Sequence, residues 1–278
     1  MCERISKMKL CFNTIACRNM QEPLVKSLEP IAELGSYQAV ELWIPDVSTM
    51  NRAQAQELAS FCLEKNLDLP IVTGMLGVLR LEMDDLKEQL ELCRKLSKLA
   101  EWLGARLLRA FPGYVGEITS RNPDPEYYSY VVGAFKEFCR ILADSGLSLA
   151  SETHRDTFVD TVSGALKFLE DVGETNHGFI LQLGIVPRWS GMDGVEFYRA
   201  LSKNVLHMHL HPYPWQEHED NLPNYSKLLP ILEREDPGFY ISVENCEALV
   251  PPVEAARQGA ELISKLVAGE KVPLPENP

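Results

Sequence analysis

Val205-Leu206-His207-Met208-His209-Leu210-His211 reads as a β-strand in which apolar residues alternate with three histidines. The period of two puts His207, His209 and His211 on one face, with His207 deepest and His211 nearest the strand's C-terminal end. Three other apolar runs also end in polar or ionisable side chains: Leu149-Ala150-Ser151-Glu152-Thr153-His154-Arg155, Ile180-Leu181-Gln182-Leu183-Gly184 and Ile241-Ser242-Val243-Glu244-Asn245. A purely structural strand has no need of such groups at its end. A barrel of parallel strands does, because its active site sits at the C-terminal ends of the strands.

Working outward, β-like runs alternate with amphipathic helices from one end of the chain to the other, the pattern of a parallel sheet wrapped by helices. The strands are predicted at Lys9 to Asn13, Ala39 to Trp43, Asp68 to Thr73, Arg106 to Ala110, Ser148 to Glu152, Phe179 to Leu183, Val205 to Leu210 and Tyr240 to Glu244. Helices are predicted at Pro23 to Leu34, Thr49 to Lys65, Asp84 to Leu103, Pro125 to Ser145, Val162 to Val172, Val195 to Lys203, Tyr225 to Glu235 and Pro252 to Ala268. In the third of these, Leu86, Leu90, Cys93, Leu96, Leu99 and Leu103 recur at spacings of three and four and make one apolar stripe. In the fourth, Asp124 and Pro125 supply an N-cap and first residue, and Gly146 a stop. The expectation is an α/β fold, a (β/α)8 TIM barrel, formed by one domain over residues 1–278 with a frayed tail at 272–278. A doubly wound open sheet gives a similar alternation.

The chain has 278 residues, close to the roughly 250 typical of such a barrel. Its formal net charge of −13 repels polyanions, so nucleic acid is not an expected partner. No apolar run is long enough to cross a bilayer and the first ten residues lack a secretory apolar core, so the expectation is a cytoplasmic protein with no membrane partner. Seven cysteines, an odd number without a CxxC pair, read as reduced structural thiols. Gly-rich phosphate loops, serine nucleophile elbows and Cys/His nucleophile pairs are absent from the sequence.

Two carboxylates and an imidazole converging from separate strands make an oxygen-rich site suited to Mg2+, Mn2+ or a similar ion, with histidine adding affinity for borderline metals. The order of groups is a Glu after strand five, a polar residue after strand six, a His on strand seven and a Glu after strand eight. This order resembles the sugar phosphate isomerase/epimerase family of xylose-isomerase-like barrels. The resemblance covers almost the whole chain, including Lys9-Leu10-Cys11-Phe12-Asn13-Thr14 and Ala39-Val40-Glu41-Leu42. It implies one divalent metal ion (Mn, Mg, Co or Zn) held by Glu152, Gln182, His209 and Glu244, and implies Glu152 and Glu244 as the acid/base pair. Where the family has Asp after strand six, this chain has Gln182, a neutral oxygen donor that weakens the hold on a hard cation. Where the family often has a His three residues further on, this chain has Ile185. Glu152-Thr153-His154-Arg155 is similar to a string in one branch of the family.

Substrate-binding candidates surround these groups. Arg155 can grip a carboxylate or phosphate as a fork, or form a surface ion pair with Asp156 or Asp160. Arg109 can bind an anion or pair internally with Glu152 or Glu41. His154 and His211 can touch substrate, Glu41 can orient a ligand, and Trp43 can stack on a sugar ring. Trp189 and Trp215 are pocket walls or packing residues, and the long loop from Pro212 to Tyr225 is a lid or a homodimer interface. The resemblance implies a sugar isomerase or epimerase acting on a small polyhydroxylated substrate by metal-assisted proton transfer through an enediolate. The alternative is a metal-deficient barrel that binds a sugar or sugar acid without this catalysis. An abasic-site endonuclease on the same barrel would need more histidines and a basic groove.

Overall fold

The computed structural model describes residues 8–79, 83–113, 119–183, 190–212, 221–246 and 248–272. Its strands are β1 (Lys9–Asn13), β2 (Ala39–Trp43), β3 (Ile71–Leu76), β4 (Leu107–Ala110), β5 (Ser148–Glu152), β6 (His177–Gln182), β7 (Val205–Leu210) and β8 (Tyr240–Val243). Each pairs in parallel with the next, and β8 pairs in parallel with β1, so the sheet closes into a barrel. Closure removes the open-sheet alternative.

Around the barrel run α1 (Leu24–Glu33), the short α2 (Ile44–Val47), α3 (Arg52–Glu64), α4 (Met83–Leu103), α5 (Pro125–Ala143), α6 (Val162–Val172), α7 (Gly194–Leu201), α8 (Asn221–Glu235) and α9 (Pro252–Val267). From α3 onward each helix packs on the next, and α9 packs on α1. The apolar stripe of α4 faces the sheet, with Cys93, Leu96, Leu99 and Leu103 buried. At the start of α5 the Asp124 carboxylate accepts from the Tyr127 N–H at 2.8 Å, and Gly146 beyond its end has φ +67°. The main core lies between sheet and helices. A separate, small apolar cluster of Ile71, Ala150 and Ile180, packed with Leu107 and Leu206, fills the barrel interior.

Several element boundaries differ from the sequence expectation, and three of the differences have a clear local reason. β3 begins at Ile71, not Asp68, because Pro70 has no N–H for the ladder and leaves only an isolated Ala39–Asp68 bridge before it. β6 begins two residues earlier, at His177, whose Nε2 meets the Ser151 hydroxyl at 2.8 Å and so allows a polar residue into a buried strand. α8 begins at Asn221, not Tyr225, because Pro223 falls in its first turn, where a missing N–H costs nothing. Among the described residues no helix is long and apolar enough to cross a membrane. Residues 213–220 of the long loop, with Trp215, lie outside the described residues, as do Ile185, Trp189 and the tail from 273.

Candidate active site and metal centre

Side chains two apart on a strand share a face. The interior residues Ile71, Leu107, Ala150 and Ile180 therefore place Thr73, Arg109, Glu152 and Gln182 on the same interior face, one step nearer the C-terminal mouth. The apolar cluster is the floor on which a polar centre is built.

Immediately above the floor lies a fully buried layer of Cys11, Glu41, Thr73, His207 and Ser242. His207 Nε2 is 3.1 Å from Glu41 Oε2 and 3.0 Å from the Ser242 hydroxyl, and the Thr73 hydroxyl donates to Glu41 Oε1. Glu41 also reaches upward: its two oxygens lie 3.0 and 3.2 Å from His209 Nε2. It thus ties together two histidines of one strand.

The next layer carries the converging groups. His209 Nδ1 is 3.3 Å from Glu152 Oε1 and 3.2 Å from Glu244 Oε2. Arg109 Nη1 donates to Glu152 Oε2 at 2.6 Å and lies 3.7 Å from Glu244 Oε1. The rest of that guanidinium is held by the Gly74 carbonyl, which accepts from Nε at 3.4 Å and Nη2 at 3.3 Å, and by the face of Phe111, 4.4 Å from its centre. The Gly74 carbonyl is available because the register of β3 against β4 shifts between Val72 and Leu76. Gly74 itself must lack a Cβ, which would stand 2.2 Å from the Ile44 side chain.

Burial alone would neutralise every one of these groups, yet at the three carboxylates and His209 the partners win. Burial raises the Glu152 carboxyl, but Arg109 and then His209 outweigh it and hold Glu152 well below the usual carboxylate range. Glu41 is likewise held low against burial by His209 and His207, and Glu244 by His209 and His211. Burial lowers His209, but Glu244, Glu41 and Glu152 together raise it well above an ordinary imidazole. His207 and His211, with fewer carboxylates, stay on the neutral side because burial prevails.

The donor set fits a divalent cation. Ligands about 2.0–2.2 Å from a common ion are separated by about 3.0–3.5 Å, the spacing that His209 Nδ1 has to both carboxylates. Ligand atoms of Glu152, His209 and Glu244 all lie within 4.8 Å of one another. With neutral imidazoles, three buried carboxylates against the single guanidinium of Arg109 leave two negative charges, which a divalent ion offsets. Glu41 on Nε2 leaves Nδ1 turned to the two carboxylates, the arrangement in which an outer carboxylate orients a ligating histidine. A proton on Nδ1 and a cation compete for the same place.

Gln182 ends β6, in register with His209, and its amide nitrogen is 2.6 Å from His211 Nε2. His211 Nε2 is also 3.2 Å from Glu244 Oε2. His154 sits at the rim, its Nδ1 2.8 Å from the Arg155 carbonyl and its ring edge-on to Phe111. Arg155 is exposed, with Nε 4.0 Å from Asp156 Oδ2. Trp43 is half-buried at the end of β2, its backbone N–H donating to the Thr14 hydroxyl at 2.9 Å. Two further residues adjoin the centre. Asn13 directs Nδ2 toward Glu244 Oε1 at 3.5 Å, and Cys246 has its thiol beside His211 and Glu244. The sequence signal for Cys246 was its position two residues beyond Glu244; that for Asn13 was its place at the end of β1.

A family model for the xylose isomerase-like TIM barrel matches residues 28–266. A 3-dehydroshikimate dehydratase of Bacillus anthracis is 25% identical over 206 residues, covering 73% of this chain and 71% of that protein. Among solved structures, an L-ribulose 3-epimerase superposes with a TM-score of 0.74 at 12% identity, covering 94% of this chain and 95% of that one. The IolI protein with a bound zinc atom gives 0.70 at 18% identity, covering 94% and 98%. At these identities the structural likenesses establish the fold alone.

Proposed function

We propose, from the premise that this chain belongs to the xylose isomerase-like TIM barrel family, that it is an enzyme removing a proton from the carbon beside a carbonyl of a small polyhydroxylated substrate, as a sugar isomerase or epimerase does. The observation that carries this reading is the convergence of Glu152 and Glu244, from β5 and β8, on His209 Nδ1 at 3.3 and 3.2 Å.

Glu152, His209 and Glu244 would hold the divalent cation. Gln182 offers a neutral fourth donor, and its contact with His211 makes it the weakest of the set. When bound, such an ion supplies Lewis-acid polarisation of a substrate carbonyl and stabilises the enediolate. The protein's own groups move the proton. Glu152 has one oxygen held by Arg109 at 2.6 Å, whereas the contacts of Glu244 Oε1 to Asn13 and Arg109 are longer, 3.5 and 3.7 Å. Glu244 is therefore the freer carboxylate and is assigned proton abstraction; in an epimerisation Glu152, ionised at rest beside Arg109, would first take up a proton from solvent or a substrate hydroxyl and then return it to carbon. His211, His154 and Arg155 line the rim, where substrate hydroxyls or an anionic group would meet them. Arg109 acts on Glu152 from below, and Trp43 offers an apolar wall.

A second reading shares the first step. The relative named 3-dehydroshikimate dehydratase, at 25% identity, favours a substrate in which proton removal is followed by loss of a neighbouring hydroxyl as water. One experiment separates the readings. The protein, loaded with Mn2+ or Zn2+, is incubated in D2O with a panel of ketoses, aldoses and 3-dehydroshikimate. Deuterium entering a sugar with rearranged stereochemistry supports isomerase or epimerase chemistry. Loss of water with a new ultraviolet-absorbing product supports the dehydratase. No exchange with any member, together with no cation binding, sinks both and leaves the binding barrel.

A further inference from the structure

Glu244 does not belong to one cluster alone. Its Oε2 is 3.2 Å from His209 Nδ1 and also 3.2 Å from His211 Nε2, so one carboxylate oxygen faces two imidazoles. On the side of His211 it meets a third kind of donor, the thiol of Cys246, and the ligand atoms of His211, Glu244 and Cys246 all lie within 4.8 Å of one another. These donors come from the ends of β7 and β8, above the Glu152–His209–Glu244 set.

We infer that His211, Glu244 and Cys246 form a second cation position at the mouth of the barrel, sharing Glu244 with the deeper one, and that it takes a thiophilic divalent ion such as Zn2+, Co2+ or Cd2+. The donor chemistry sets the choice of ion: a thiolate with an imidazole and a carboxylate prefers zinc-like metals, whereas Mg2+ and Mn2+ favour oxygen. Three protein ligands with an open fourth position is the zinc arrangement that leaves room for a substrate or water oxygen. Access differs between the positions. The side chains of Glu152 and His209 are 1% and 0% exposed, while His211 is 10% exposed and Cys246 is partly open. On ligation the Cys246 thiol gives its proton to solvent, and the Gln182 amide leaves His211 Nε2. The deeper ion offsets the two buried negative charges first, so the outer ion binds second and more weakly. This inference adds a position to the proposed function and does not depend on the reaction assigned there.

The test is a Co2+ titration of the metal-free, thiol-reduced full chain, followed by absorption. The expected result is two equivalents, with a thiolate-to-cobalt charge-transfer band growing only with the second. Cys246→Ser should abolish the band and weaken the second equivalent about tenfold or more, leaving the first equivalent and the circular dichroism spectrum unchanged. Glu152→Gln should do the reverse, weakening the first equivalent and keeping the band. Mg2+ should fill only the deeper position. A single equivalent without a band in the wild type, a band arriving with the first of two equivalents, or a band that survives in Cys246→Ser would overturn the second position. Loss of the deeper equivalent alone would count against the proposed function and leave this inference standing.

Discussion

His209 and His177 are both enclosed imidazoles on adjacent strands, and their surroundings drive them in opposite directions. His177 lies between the sheet and the helices, with ring centres of Phe135, Phe168 and Phe179 at 6.1, 5.8 and 6.1 Å. Its Nε2 meets the Ser151 hydroxyl, its Nδ1 has no partner among the described residues, and burial pushes its pKa down to about 4. His209 lies inside the barrel among Glu244, Glu41 and Glu152, which raise it well above the ordinary value despite complete burial. Burial lowers both; the number of carboxylates within reach decides whether positive charge is expelled or collected. A histidine in an apolar strand therefore says little alone. What makes a cation centre is the convergence of acids from other strands.

The strongest way to break that contrast is to remove a converging acid. Glu244→Gln keeps shape and takes away the charge that faces both His209 and His211. Calorimetric titration with Mn2+ should show no tight equivalent, and any solvent-exchange activity should fall by about 10³-fold, within the range for losing a general base. Tight binding retained in this variant would mean that the mouth is not organised around Glu244.

The other side of the contrast is tested by pH. His177 has a folded pKa of about 4, below the unfolded value near 6.5, so the unfolded chain takes up a proton that the native protein refuses. Its stabilising contribution is therefore complete above pH 6.5 and is lost as pH falls toward 4. Between pH 7.5 and 4.5 this amounts to about 2.5 kcal/mol. His177→Phe should cost about 1 kcal/mol at pH 7.5, because the Ser151 hydroxyl loses its partner. Urea unfolding of the variant should then lose about 2.5 kcal/mol less than the wild type between the two pH values. Parallel losses in the two proteins would show that His177 protonates freely in the fold.

A smaller effect is expected one layer below the mouth. Glu41→Gln leaves an oxygen near His209 Nε2 but removes the charge that holds its proton there. Cation affinity should fall about 30-fold, within the 10–100-fold typical of such supporting groups. Long-range proton–nitrogen correlation spectra of the metal-free variant should show His209 less uniformly protonated at Nε2. Unchanged affinity with an unchanged spectrum would make Glu41 a structural partner of His207 and Thr73 only.

Strand and helix periodicity made the barrel legible, because each apolar run is short and each helical stripe long. It did not distinguish a closed sheet from an open one; only the β1–β8 pairing does. The positions of Glu152, His209 and Glu244 at strand ends were readable for the same reason. For Arg109 the sequence left anion binding and an internal pair with Glu152 or Glu41 both open, and the structure shows the Glu152 pair; nothing in its neighbourhood in sequence reveals that a register shift in β3 turns the Gly74 carbonyl to its guanidinium. The spacing of Cys246 from Glu244 was readable, but its approach to His211 was not, since His211 is supplied by a different strand.

The finest contrast within the mouth is between Gln182 and the three charged groups beside it. Gln182 is 7% exposed at the end of β6, in register with His209, and its amide contacts His211 Nε2. Gln182→Asp shortens the side chain by one methylene and adds a negative charge beside the carboxylates of the centre. In the metal-free protein that charge is repelled by Glu152 and Glu244, so thermal stability should drop. With a hard cation present the sign reverses, and Mn2+ affinity should rise about tenfold by ligand charge count. The cation-induced gain in unfolding free energy should then grow by about 1.4 kcal/mol at a fixed excess of Mn2+. Lower stability without tighter binding would separate the two effects. It would mean that residue 182 feels the field of the carboxylates but does not face the ion, and that its work is to hold His211.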